Sequence, residues 1–186
     1  MLQTVLDHLE KIVRPAVRDY VAAEEALDVA HASKDRVAIA VARDNVMRLA
    51  RTAAIETHHL QDVIRSNLRP QYARIEDIRN AARAVCVFAR GTTAVTDTDL
   101  LKDTADAIKH FEMSRNSSDV ARADDVLSMS NGYGEMRYGE QKFGGKEQVS
   151  IKTKAGHKYS LLWVIHNSYD AYMKILGQPE KPLGQF

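Results

Sequence analysis

Arg51 and His58 are the residues from which RNA chemistry is most readily built in this chain of 186 residues. Their sequence numbers differ by seven, which on a helix brings both to one face about 10 Å apart along the axis. Metal-independent RNA cleavage needs an acid or base that titrates near neutrality and a cation to hold the scissile phosphate. Histidine suits the first role and arginine the second. A second cluster lies at Asp106, Lys109 and His110: Asp106 and His110, one helical turn apart, make a carboxylate–imidazole pair, and Lys109 adds positive potential beside it. Glu56 and His59 have the Glu-x-x-His spacing that lets two side chains of one helix share a metal. The matching pair, Asp28 with His31, falls at the opposite end of the first helix, so the residues predict no metal site and no cofactor. In the C-terminal part, Lys152, Lys154 and Lys158, with Lys142 and Lys146, are interspersed with Phe143 and Tyr159. Such a set can hold a phosphate backbone while the rings stack on bases; lysines on a two-stranded ribbon also serve to keep sheet edges from pairing. The Gly-rich stretch nearby has no Gly-Lys-Ser/Thr ending, which excludes a Walker-type phosphate loop. Cys86 falls among the apolar positions of its helix and reads as core rather than as a nucleophile.

The Arg51-to-His58 spacing resembles the Rx4–6H motif of the HEPN superfamily, small helical proteins that include RNA-cleaving toxins and defence proteins. The resemblance covers residues 1–116 as an architecture and two residues as a motif. It implies that Arg51 binds phosphate and His58 moves the proton. Thr52 stands where that family usually has Asn, Asp or His, and the more typical pair Arg79-Asn80 has no histidine at the required distance. The segment from Asp106 to Phe111 is similar to an Asn-x-x-Lys-His segment of other small helical proteins, with Asp in place of Asn, and that similarity carries no activity with it.

The elements that must position these residues are helices. Val5, Leu6, Leu9, Ile12, Val13, Ala16, Val17, Tyr20, Leu27 and Ala30 recur at three- and four-residue intervals and predict one long first helix. Pro15 predicts either a kink in it or a break with a fresh start. Ser33 or Asp35 caps a second helix that runs to about Asn67, where Arg69-Pro70 stops it. Tyr72 to Ala89 marks a third, ending at Gly91, and Thr96 to Asp99 opens a fourth with Leu100, Leu101, Thr104, Ala107, Ile108 and Phe111 on one side. Residues 119–130 predict a short helix. Residues 131–146 predict an irregular Gly-rich loop, and Val149 to Tyr159 a small β-hairpin turning at Lys154 to His157. Leu161 to Leu176 predicts a last amphipathic helix capped by Ser160 and stopped by Gly177 to Pro179, before a frayed tail. The fold class is therefore all-α: an antiparallel bundle of four main helices (1–116), an appendage of short helix, Gly-rich loop and hairpin (117–159), a C-terminal helix packed on the bundle (160–176) and a tail (177–186).

Short connections make neighbouring helices antiparallel, so reflection through each turn estimates which residues share a level. Asp7 and His8 fall opposite His58 and His59, those opposite Arg79 and Asn80, and those opposite Lys109 and His110. This layer collects four of the seven histidines. The helical wheels put His58 on the polar side, His59 at its border, and Lys109 and His110 away from the apolar stripe.

Composition bounds what such a layer could serve. The formal charge of +1, from 26 Lys and Arg against 25 Asp and Glu, removes the broad basic footprint of a dedicated duplex-DNA binder. Residues 131–186 alone are net basic, with eight Lys and Arg against five Asp and Glu, and they hold eight of the nine glycines. One cysteine excludes an internal disulfide framework and fits the cytoplasm. No apolar run is long enough to span a bilayer, so no membrane partner is expected. The sequence contains no complete catalytic set. It predicts a non-enzymatic interaction or regulatory protein, with a protein partner or self-association favoured by the abundant Ala of the second helix; the alternative is HEPN-like binding or cleavage of RNA by Arg51, His58, Lys109 and His110.

Overall fold

The computed structural model describes residues 1–86, 89–90, 95–110, 119–130 and 146–179. It is mostly helical with a small three-stranded antiparallel sheet. The expected Gly-rich loop, apart from Lys146, lies outside the described residues, as do Gly91, Phe111, Phe143 and the end of the tail.

The first helix resolves the Pro15 ambiguity with a bulge. Helix α1 (Leu2–His8) passes through a π-turn (Leu9–Val13) into α2 (Arg14–Ser33) without interruption. Proline has no N–H and its ring crowds the carbonyl four residues back; here the Arg14 N–H reaches back to the Leu9 carbonyl instead, and the wider turn gives the ring room. The extra residue also rotates the helix, so Leu9, Val13, Val17, Tyr20 and Leu27 are buried while Ile12, expected inside, is exposed. Helix α3 (Arg36–Asn67) starts where Asp35 accepts from the Val37 and Ala38 N–H groups, the side-chain cap its position predicts. Lys34 closes α2 in the left-handed conformation, at φ 58°.

Helix α4 (Ile75–Val85) is shorter than its apolar run suggested, opened by Arg74 and Asp77 bonding to each other across the first turn. A two-stranded ribbon, β1 (Ala89–Arg90) with β2 (Val95–Thr96), then leads into α5 (Asp97–His110). The expected short helix at 119–130 is corrected. A single 3₁₀ turn (Ala123–Asp125) is followed by a strand, β3 (Val126–Ser130). β3 pairs antiparallel with β4 (Glu147–Lys152), Val126 opposite Ile151, and β4 pairs with β5 (Lys158–Ser160), Lys152 opposite Lys158. The hairpin is thus two strands of a three-stranded sheet, and the chain is not wholly α. Its turn carries Gly156 at φ +83°, a conformation in which a Cβ would be strained. Helix α6 (Leu161–Ile175) follows and ends at Gly177, φ +67°.

The helices and the three-stranded sheet share one hydrophobic core. Tyr20 and Leu27 from α2, Leu60 and Ile64 from α3, Ile78 from α4, Leu100 and Leu101 from α5, Val149 and Ile151 from β4, and Ile165 and Tyr169 from α6 belong to a single buried cluster. α3 runs through the middle, packing on α1, α2, α4, α5, α6 and the sheet. Within the described residues no helix is long and apolar enough to cross a membrane.

Candidate functional site

Four helices converge on a small polar pocket lined by His58 and Gln61 of α3, Arg79 and Ala82 of α4, Thr98, Asp99 and Lys102 of α5, and Tyr172 of α6. A chain of hydrogen bonds crosses it. Arg79 Nε donates to Gln61 Oε1 at 3.1 Å, and the Gln61 amide nitrogen sits 2.9 Å from His58 Nε2. An amide nitrogen only donates, so His58 Nε2 accepts and the ring is neutral. Burial pushes the His58 pKa down to about 3; Asp106 pulls it up, while Lys109, Arg79 and His59 push it further down. Tyr172 is buried beside it, and burial raises its phenol well above the ordinary value.

The cations in and beside the pocket already have carboxylate partners. Arg83 Nε holds Asp99 at 2.7 Å, Lys102 Nζ holds Asp103 at 2.9 Å and Asp106 at 3.4 Å, and Arg79 faces Glu76 at 3.6 Å. Thr96 fixes Asp99 from the other side through its hydroxyl at 2.8 Å and its N–H at 3.2 Å. Charge is therefore matched around a neutral, hydrogen-bonding interior. Such a cavity suits a water or a small polar group.

The level-matching of the sequence puts α3, α4 and α5 together at this point, as the structure does, but it also places Asp7 and His8 here, which are not in the pocket, and omits α6, which is. Lys109 Nζ donates to His59 Nε2 at 2.7 Å, bridging α5 to α3 just outside the pocket. The wheel assignment of His58 to the polar side is corrected: it is 4% exposed, because α3 is covered on several sides and its buried arc is wider than one stripe. Arg51 is half-buried and lies outside the pocket that His58 lines; its Nε is buried with no hydrogen-bond partner among the described residues. His110 is exposed at the end of α5, and His8, on α1, is also outside the pocket, its Nε2 buried with no hydrogen-bond partner among the described residues. Among the described residues no group of three or more His, Cys, Asp or Glu could hold a metal. Lys152 and Lys154 are exposed and Lys158 half-buried. Tyr159 is 4% exposed, so it is unable to stack on a base as its place among the lysines suggested. Cys86 is half-buried and packs against the core.

A second polar centre escaped the sequence reading. Glu147, at the start of β4, is 4% exposed and takes four hydrogen bonds. Arg43 of α3 grips it with Nε at 2.5 Å and Nη2 at 2.9 Å, His31 of α2 meets it at 2.7 Å, and the Ser128 hydroxyl of β3 donates at 2.7 Å. Burial alone would raise its pKa; the bonds from Arg43, Ser128 and His31 outweigh it and hold the carboxyl at about 2. Close by, Glu24 of α2 accepts from the Tyr20 hydroxyl at 2.9 Å and the Val149 N–H at 3.1 Å. Two buried glutamates thus fasten the sheet to the α2–α3 hairpin. The signal available in the sequence was only an acid next to an alternating apolar run.

No protein-family model, curated protein or solved structure matches the chain.

Proposed function

We propose that this chain works by binding rather than by catalysis, as a non-enzymatic interaction or regulatory protein of the cytoplasm whose helical body is an antiparallel bundle. The observation that carries the reading is the state of His58: buried, bonded to Gln61 and neutral down to about pH 3. A proton-transfer group works best when its pKa lies near the operating pH, and His58 is far from it. The surrounding cations are occupied by Asp99, Asp103, Asp106 and Glu76, which leaves little positive potential for a scissile phosphate.

A second reading, HEPN-like binding or cleavage of RNA, is favoured by one observation: His58 shares its pocket with Arg79 and Lys102, and His59 with Lys109 stands beside it. Incubating metal-stripped protein with a mixed RNA pool in EDTA, beside the Arg51→Ala/His58→Ala double variant, separates the two. The binding reading expects intact RNA from both proteins. Cleavage by the wild type that the double variant lacks would overturn it and establish a metal-independent nuclease.

A further inference from the structure

Residues 148–169 contain no Asp or Glu, and the lysines of this stretch gather at the turn end of the β4–β5 hairpin. The register sets Ser150 opposite Ser160, Ile151 opposite Tyr159 and Lys152 opposite Lys158. Residues directly opposite share a face of the sheet, with Cβ atoms about 5 Å apart. One face, with Ile151 and Tyr159, belongs to the core; the other carries the two lysines beyond the buried serines. Lys154 follows in the turn. Lys152, Lys154 and His157 are exposed and Lys158 is half-buried. Backbone bonds hold the turn in shape: the Thr153 N–H donates to the His157 carbonyl at 2.9 Å, and the Lys154 N–H to the Asp119 carbonyl at 2.9 Å.

Opposed like charges cost a sheet stability. A lysine on an outer strand keeps that edge from pairing, which accounts for Lys158 on β5. It does not account for Lys152, which is on the middle strand β4 and has no ion-pair partner among the described residues. One carboxylate, Asp119, stands close enough to Lys154 to feel its charge. The hairpin itself is a cationic tip on a chain whose net charge is +1, and such a tip calls for an anionic partner.

The other side chains of the tip narrow what that partner is. Turn residues 153–156 offer no large apolar side chain to enter a lipid layer. The tip carries instead an exposed ring, His157, inclined at 40° to the buried Tyr159 with centroids 6.3 Å apart. Histidine is among the rings on which unpaired bases stack. Cations that track a phosphate backbone and a ring that takes a base are the two components of single-strand binding.

We propose that the β4–β5 hairpin binds an unpaired nucleic-acid strand, with Lys152, Lys154 and Lys158 on its phosphates and His157 against a base. None of the four lines the His58 pocket. The inference supplies the partner that the binding reading leaves open and rests on that reading, but the two fail separately. RNA held by the hairpin and cleaved would overturn the function and leave this site; RNA left intact and never bound would do the reverse.

Fluorescence anisotropy of the full chain, titrated into labelled single strands of about 12 nucleotides, is the test. An RNA and a DNA of the same sequence are used, and the tighter of the two names the strand. For the wild type, the logarithm of the affinity should fall with the logarithm of salt concentration at a slope of about −2, as three phosphate contacts require. Lys152→Ser/Lys158→Ser should weaken binding by about tenfold or more and reduce the slope to about −0.7. Its melting temperature should not fall, because the change removes opposed like charges. Lys152→Arg/Lys158→Arg should keep the affinity, His157→Ala should weaken it several-fold at an unchanged slope, and Lys34→Ser, on a different surface, should leave it alone. A wild type that binds neither strand at low salt, or an affinity indifferent to the lysine pair, would overturn the proposal. So would tighter binding to phosphatidylserine vesicles or to polyaspartate than to either strand, which would give the tip to a membrane or to an acidic peptide.

Discussion

His58 refuses a proton that the unfolded chain accepts. Burial, reinforced by Lys109, Arg79 and His59 and opposed by Asp106, sets its folded pKa at about 3 against an ordinary value of 6.5. Between those values the unfolded state binds more protons than the folded one, so stability falls as pH drops. The full linkage of one proton is about 1.4 kcal/mol per pH unit. His58→Gln, which removes the titration, should therefore lose less stability than the wild type on acidification from about pH 7 to about pH 5. Urea midpoints at both pH values read it, and equal losses in the two proteins would refute the role assigned to burial. The sequence made the neighbourhood of this residue legible: reflecting residues through the turns put His58 and His59 at the level of Arg79 and Lys109, where the structure has them. It did not make the burial legible. A wheel assumes one buried face, and α3 touches helices on several sides. Tyr172 was hidden for a related reason, since in a run of apolar residues a phenol reads as core.

Among the elements, helices announced themselves by period and caps, as Asp35 did for α3. Strands did so only where one face met solvent. In β4 every residue from Glu147 to Ile151 is buried, so Ser150, which reads as an outward position, is inside, and Glu147 looks like part of a loop. The sequence of β3 does not tell strand from helix, because Val126 with Met129 fits the helical period and Leu127 with Met129 the strand period. The sheet is held to the α2–α3 hairpin through Glu147, which Arg43 and His31 bond from the helices and Ser128 from the neighbouring strand. Glu147→Gln leaves Arg43 facing an uncharged group and should lower stability by about 2 kcal/mol or more, measured by thermal or urea unfolding at neutral pH. The pH dependence has a definite sign. The folded pKa lies below the ordinary carboxylate value of 4.5, at about 2, so the contribution is complete above the ordinary value and disappears as pH falls toward about 2. The gap between wild type and variant should close over that window; a gap that stays constant would mean that packing, not charge, accounts for the loss.

For the molecule as a whole, one core ties the N-terminal helices, the sheet and α6 into a unit, and two buried glutamates fasten the α2–α3 hairpin to the sheet. With one shared core the chain should unfold in a single transition. Glu147→Gln should lower the midpoint of that transition without dividing it, because Glu24 of α2 still bonds the Val149 N–H of β4. Unfolding followed at once by circular dichroism, which reads the helices, and by the fluorescence of Trp163 on α6 tests this: coincident curves are expected for wild type and variant, and curves that separate in the variant would show that the sheet and the helices it joins are not one cooperative unit.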